Sequence, residues 1–533
     1  MLTRSIQFLV FFALFPILLL AQSWAEKTLS ELTLDQKIGQ LFMPPACPLR
    51  EEDHRRDWAV LVEKHHIGNA ILKHSDPLTQ IKFLNDLQSG SNIPLLIAAD
   101  AEWGLAMRMK QTIAFPKNQT LGAMGDLDLI FQVGAEIGRQ AKQVGIHLNL
   151  APVADVNTNP ANPVIGMRAF GEDPIQVAAC VAAMVRGMQS AGILTCAKHF
   201  PGHGDTSVDS HHALPLVPHA RDRLETVEFV PFRRAIQEGV DAIMSAHLLV
   251  PAIDSERPST LSFACLTGIL REELGFGGLI VSDALNMKAL ADTPEEIAVG
   301  AFQAGCDLLL YGDHFDPNID KILKEDVPRA WKALKRQFED GTLSEERLNG
   351  SVAKILRAKE RLGLHLTTKL SEEGIAASLH SEEAVRLKKR LFKEAVVLRG
   401  DPSSLLPKKT AYLIIGGPDE MSKAFSAVFS AAPDLDLAER IRLSDQLKDF
   451  DAVAIAVHQF GPRERNYGFS PDCIDLIRSL PKSILCLFGT PYALSLFSHP
   501  GPLLIGFEND PDAQEAVLSI LQRQNVLLDL LRN

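Results

Sequence analysis

A chain of 533 residues with 46% hydrophobic and 23% charged residues has the composition of a folded globular protein too long for one ordinary core. Its formal net charge of -12 argues against nucleic acid or an anionic membrane surface as a partner.

The first 25 residues read as a secretory signal peptide. Arg4 gives a positive start, Phe8 to Ala21 is uncharged and apolar, and Ser23 and Ala25 are the small residues expected before a cut at Glu26. The apolar run is shorter than the roughly 20 residues that span a bilayer. An exported protein, periplasmic or secreted, is expected, with no stable membrane span after cleavage; an uncleaved anchor is the alternative. Seven cysteines (Cys47, Cys180, Cys196, Cys265, Cys306, Cys473 and Cys486) form no C-x-x-C pair. Cys196, Cys306 and Cys486 fall inside apolar runs and read as core residues; the set gives neither a disulfide framework nor a zinc site.

From about residue 36 to 315, short β-rich runs alternate with helical patterns. The runs are residues 38–43, 69–73, 94–99, 148–154, 194–198, 242–246, 278–282 and 307–311. Helical periodicity falls on residues 128–144, 175–191, 227–238, 263–274 and 294–304. Eight such units predict a (β/α)8 TIM-like barrel, and a doubly wound open sheet has the same local pattern. Asp100, Asp155, His199, His247 and Asp283 each stand at the carboxyl end of a predicted strand. That spread favours the barrel, whose active sites draw on several strand ends. Residues 327–363 are helical and charged, 364–380 lose periodicity, and 382–393 are helical again. A second α/β unit follows, with strand-like runs at 411–415, 452–457, 484–488 and 503–507. The expected division is a signal segment 1–25, a catalytic barrel 26–365, a linker and helix 366–395, and a smaller C-terminal α/β domain 396–533. The charges of the last unit form no readable constellation, so a structural or docking role is expected for it.

The densest chemistry lies in residues 198–211: Lys198-His199-Phe200-Pro201-Gly202-His203-Gly204-Asp205-Thr206-Ser207-Val208-Asp209-Ser210-His211. Pro201, Gly202 and Gly204 rule out a regular helix. The segment therefore reads as a strand end that becomes a long polar loop, suited to binding a polyhydroxylated substrate and moving a proton. Metal binding by His199, His203, His211 and His212 is the alternative, but the common helical H-x-x-x-H arrangement is blocked by Pro201 and Gly202. Asp283 ends an apolar strand, where its carboxylate can act as a nucleophile on a barrel rim or cap a following helix.

This loop resembles that of bacterial β-N-acetylhexosaminidases in glycoside hydrolase family 3, K-H-F-P-G-H-G-x-T-x-x-D-S-H, and matches it at every fixed position. Ser282-Asp283-Ala284-Leu285 resembles the family's nucleophile motif. Asp100, Glu102, Gly104 and Arg108 match D-x-E-G-G-x-x-x-R, with Trp103 at the first glycine. Arg168-Ala169-Phe170-Gly171-Glu172-Asp173-Pro174 matches R-[SA]-F-G-x-D-P. The resemblance covers residues 30–365 and implies a barrel followed by an α/β sandwich. It also implies Asp283 as nucleophile, an Asp209–His211 acid/base pair, and Asp100, Arg108, Arg168, Lys198 and His199 as sugar-binding residues. A free His titrates at about 6.5, near working pH, so the pairing is chemically apt. The implied activity is a retaining exo-β-N-acetylglucosaminidase acting on muropeptide-like β-N-acetylglucosaminides, without organic cofactor or metal. A β-glucosidase, an N-acetylglucosaminide phosphorylase and a non-catalytic cell-wall sugar-binding protein are the alternatives.

Overall fold

The computed structural model describes residues 22–532 except 51, 313–317, 367–368, 403–408, 418, 459–464 and 481. The apolar run of the expected signal peptide, to Ala21, lies outside the described residues. Nine short strands build the first sheet system: β1 (Phe42–Met43), β2 (Pro45–Ala46), β3 (Asn69–Leu72), β4 (Leu96–Ala99), β5 (Leu148–Asn149), β6 (Leu194–Phe200), β7 (Ala242–Ser245), β8 (Leu279–Val281) and β9 (Leu309–Leu310). β2 to β8 pair in chain order, all parallel. β1 pairs with β9, and a parallel bridge between Val281 and Leu308 joins β8 to β9, so the ring closes. Because β1 and β2 flank Pro44 on one run, the barrel has eight strand positions. Its strands are buried along their whole length, as a parallel sheet covered by helices requires.

The first predicted strand begins too early. Residues Leu34–Gly39 form a helix, opened by a capping box in which the Thr33 hydroxyl and the Gln36 side chain bond each other's backbone N–H. A short apolar run such as 38–43 cannot distinguish a buried helix end from a strand by periodicity. The helix Trp24–Glu31 spans the expected cut before Glu26. Ser23 caps it, the Trp24 amide donates to Glu360 Oε1 at 2.7 Å, and the indole stacks on His365.

The expected linker is pinned to the barrel at two points. Asn85 makes both backbone hydrogen bonds of Leu370, and Arg139 donates to Ser378 O at 2.8 Å. The second sheet has β10 (Val397–Arg399), β11 (Thr410–Ile415), β12 (Val428–Ala431), β13 (Ala452–His458), β14 (Ser483–Phe488) and β15 (Leu503–Ile505), in the order β10-β15-β14-β13-β11-β12. Only β10 is antiparallel. Apolar clusters on its two faces make it an α/β sandwich. The helix Glu382–Ala395 joins the two units: Ala384 and Leu391 enter the barrel core, while Phe392 enters a core of the second sheet.

Candidate active site

A pocket of about 270 Å³ opens at the carboxyl ends of the barrel strands. Asp100, Arg108, Arg168, Lys198, His199, His211 and Asp283 all line it, and Asp209 stands behind His211. The strand ends that the sequence spreads over 180 residues therefore converge on one cavity.

β6 delivers two consecutive side chains. Residues in a strand ordinarily alternate faces, but the β6–β7 register shifts between Lys198 and Phe200. The irregularity lets Lys198 and His199 both face the pocket. Lys198 Nζ binds Asp100 Oδ1 at 2.8 Å and Glu102 Oε1 at 2.9 Å. Arg168 binds both oxygens of Glu102, at 3.0 and 2.8 Å, and Arg108 binds Asp100 Oδ2 at 3.0 Å. Two carboxylates thus hold three cations in a fork-and-clamp arrangement on the pocket wall. The Glu102 carboxyl is fully buried; desolvation would raise it, but Arg168 and Lys198 hold it well below the ordinary range. Burial opposes charge on Lys198 too, and the carboxylates of Asp100 and Glu102 outweigh it, so its ammonium is held firmly.

His199 Nδ1 lies 2.7 Å from Asp155 Oδ2, and its Nε2 lies 3.3 Å from Arg168. A guanidinium only donates, so Nε2 accepts and Nδ1 carries the proton toward Asp155. Asp155 is wholly buried and also accepts the His203 backbone N–H at 2.7 Å. Burial lowers His203 to about 4, so it is neutral at pH 7. Its ring bridges the hydroxyls of Thr206 at 2.8 Å and Ser210 at 3.2 Å, which fixes the loop next to His211.

The Asp209–His211 pair is formed. Asp209 Oδ1 accepts the His211 backbone N–H at 2.9 Å and the ring Nδ1 at 2.7 Å. An extended loop would also let the two side chains face one way, but the structure uses a turn instead. An Asp that bonds the backbone two residues on closes such a turn on itself. Asp283 is half-buried in the pocket wall, its Oδ1 accepting the Ala284 N–H at 2.8 Å. Burial would raise its carboxyl; the imidazoles of His247, His199 and His211 outweigh this and lower it, keeping an anion. No helix follows Asp283 directly: the next begins at Pro294, capped by Thr293. The helix-cap reading of Asp283 is thereby excluded.

Among the described residues no group of three or more His, Cys, Asp or Glu is placed to hold a metal ion. Sequence reasoning assigned no role in the reaction to Glu102, Asp155 or His247, and offered His203 only as a ligand in the metal-binding alternative. Glu102 and His203 lay inside the quoted motifs, and Asp155 and His247 ended predicted strands, so each carried a positional signal. Their partners did not.

The N-terminal domain profile of glycosyl hydrolase family 3 matches residues 33–358. The chain is 36% identical over 331 residues to beta-hexosaminidase A of Pseudoalteromonas piscicida, covering 57% of this chain and 54% of that protein. It is 30% identical over 397 residues to a beta-N-acetylglucosaminidase/beta-glucosidase of Cellulomonas fimi, covering 72% and 68%. The chain thus spans about half to two thirds of these relatives. The solved glycoside hydrolase family 3 beta-N-acetylglucosaminidase of Paenibacillus sp. str. FPU-7 superposes with a TM-score of 0.78 at 32% identity, over 92% of this chain and 97% of that one. A pocket assembled from strand ends of a closed parallel barrel and a profile match across most of that barrel lead to one conclusion: this chain belongs to glycosyl hydrolase family 3.

Proposed function

We propose that this protein is a retaining exo-β-N-acetylglucosaminidase that removes a terminal N-acetylglucosamine, with peptidoglycan fragments as its natural source. The observation that carries the reading is His211, hydrogen-bonded to Asp209 behind it, lining one pocket with the Asp283 carboxylate. The clamp of Arg168, Lys198 and Arg108 supplies donors for the hydroxyls of a single sugar.

In the first step an Asp283 oxygen forms a bond to the anomeric carbon as the bond to the leaving oxygen breaks. The leaving oxygen takes the proton from His211 Nε2. Asp209, hydrogen-bonded to Nδ1, holds the ring in the orientation that leaves Nε2 for this transfer. In the second step His211 takes a proton from water, the water oxygen bonds the anomeric carbon, and Asp283 departs. Two inversions give net retention.

An aryl N-acetylglucosaminide tests the reading against the aryl glucoside with the same leaving group. Polar groups left unpaired by the missing acetamido are penalised by factors up to roughly 10⁴. The N-acetylglucosaminide is expected to have the much higher kcat/KM; comparable values would promote the glucosidase. In phosphate buffer the product is expected to be free N-acetylglucosamine, and the sugar phosphate would identify a phosphorylase. Export to the periplasm or medium is part of the proposal, and a chain found in the cytosolic fraction with residues 1–25 still attached would contradict it.

A further inference from the structure

The carboxyl edge of the second sheet faces the barrel. In open α/β sheets that edge ordinarily carries ligand-binding residues. Here it carries two side chains, Glu508 and Tyr492, each linked to the barrel turn Gly166–Arg168 through one intermediate element. We propose that Glu508 and Tyr492 are positioning residues that set the placement of Arg168 and hence how tightly the barrel holds its terminal sugar. The inference rests on the reading of Arg168 as a sugar-binding residue.

The first route runs through a short helix. Glu508 follows β15, and its Oε1 accepts the Lys117 backbone N–H and the Thr120 hydroxyl, each at 2.7 Å. Lys117 precedes the helix Asn118–Met124 and makes no side-chain cap, since a lysine has no acceptor to offer. The start of this helix is therefore tied from the other domain. Its first residue, Asn118, donates from Nδ2 to Arg168 O at 2.7 Å. Further along, a Cβ added at Gly122 would lie 1.7 Å from Phe170 O, so helix and turn are in backbone contact. A displacement of the helix is transmitted to Arg168 without slack.

The second route is shorter. The Tyr492 hydroxyl, in the turn after β14, accepts from Asn157 Nδ2 at 3.0 Å. Asn157 Oδ1 in turn accepts the Gly166 N–H at 3.0 Å, at the start of the same turn. Lys117 adds a link to the pocket wall, its Nζ lying 5.7 Å from the centre of the Trp103 ring.

The turn that presents Glu508 is itself constrained. Phe507 is buried with φ of 64°, a left-handed conformation unfavourable for an aromatic residue, and the Glu508 N–H folds back to Gly506 O at 2.7 Å. Such a conformation persists where its surroundings over-determine it, and clusters near functional sites. Two tethers, one through the helix Asn118–Met124 and one through Asn157, thus reach the turn that presents Arg168.

The test uses the full chain with Glu508→Ala, Glu508→Gln and Tyr492→Phe, steady-state kinetics on the aryl N-acetylglucosaminide, and hydrogen exchange resolved at residues 166–169. A small misplacement of a substrate-positioning group costs orders of magnitude in the worst case, and Glu508→Ala is expected to raise KM about tenfold with kcat changed far less. Glu508→Gln keeps an acceptor oxygen and is expected to restore KM. Exchange at the amides of Gly166, Arg168 and Ala169 should accelerate in Glu508→Ala and Tyr492→Phe. A lowered melting temperature with unchanged KM and unchanged exchange at the turn would overturn the proposal, leaving adhesion alone. A wild type that fails to turn over the N-acetylglucosaminide would sink the proposed activity. The exchange result would still decide the coupling: acceleration supports it and its absence refutes it.

Discussion

Asp283→Asn keeps the shape of the side chain and removes the charge that the Ala284 N–H and the neighbouring imidazoles stabilise. Turnover is expected to fall by about 10⁴-fold or more, as for removal of other covalent nucleophiles. A slow fluorinated N-acetylglucosaminide should label the peptide that contains Asp283 in mass spectrometry; a label elsewhere would reassign the nucleophile. His211→Ala is expected to impair substrates with poor leaving groups most, because these need the proton. If, as proposed, Asp209 acts through His211, the double variant should lose little beyond His211→Ala. Multiplicative losses in the cycle would mean that the two act independently.

Lys359 is a different kind of residue. It is fully buried at the amino-terminal side of the barrel, donating to Gln40 Oε1 at 2.6 Å and Gly68 O at 2.8 Å, both neutral acceptors. Burial lowers it from 10.5 to about 7. Its folded value lies below its unfolded one. Between about pH 7 and 10 the unfolded chain therefore keeps a proton that the folded chain has shed. Stability from this group rises with pH across that window and is lost as pH falls. Urea unfolding at pH 7 and 9 should show the wild type gaining on the order of 2 kcal/mol more than Lys359→Met. Equal pH dependence in the two proteins would refute the assignment.

At the scale of the element, the loop from Lys198 to His211 is held by backbone proximity as much as by side chains. A Cβ on Gly204 would meet Val156 O at 1.8 Å and Val156 C at 2.4 Å, so the loop lies flat on the segment after β5. Gly204→Ala must lift it, moving His203, Ser210 and the Asp209–His211 pair together. kcat/KM is expected to fall by about 10²-fold, while the circular dichroism spectrum stays that of the wild type. Unchanged kinetics would show that the dyad does not depend on this contact. The Lys198–Phe200 irregularity has the same character: neighbouring residues share one face where pairing with β7 slips.

For the whole molecule, the helix Glu382–Ala395 decides the expected behaviour. Leu391 is fully buried in the barrel core, and the next residue, Phe392, is buried in a core of the second sheet. A segment that read as a linker is followed by a helix shared between two cores. Heat should therefore unfold both units in one calorimetric transition. Leu391→Ala, a large-to-small core change that ordinarily costs 2–5 kcal/mol, roughly stated, should lower that single transition. Two resolved peaks in the wild type would show that the units fold independently.

What the residues alone determined was local. The strand–helix alternation rests on period, and the loop from Lys198 to His211 is contiguous, so both were legible without coordinates. Cys196, Cys306 and Cys486 read as core from their apolar runs, and all three are buried; the burial of Cys47, Cys180, Cys265 and Cys473 came from the structure. Tertiary structure decided whatever depends on distant partners. It excluded a helix-capping role for Asp283, since the next helix starts at Pro294. It paired Glu102 with Arg168 and Lys198, which are 66 and 96 residues away in sequence. It placed Lys359 beside Gln40 and brought Glu508 to Lys117 across 391 residues. The physical reason is one of range. Periodicity, turn chemistry and capping act over a few residues and leave a trace in the sequence. Charge pairing and burial act over a few ångströms in space, and only the closed barrel and the sandwich docked on it bring those groups within reach.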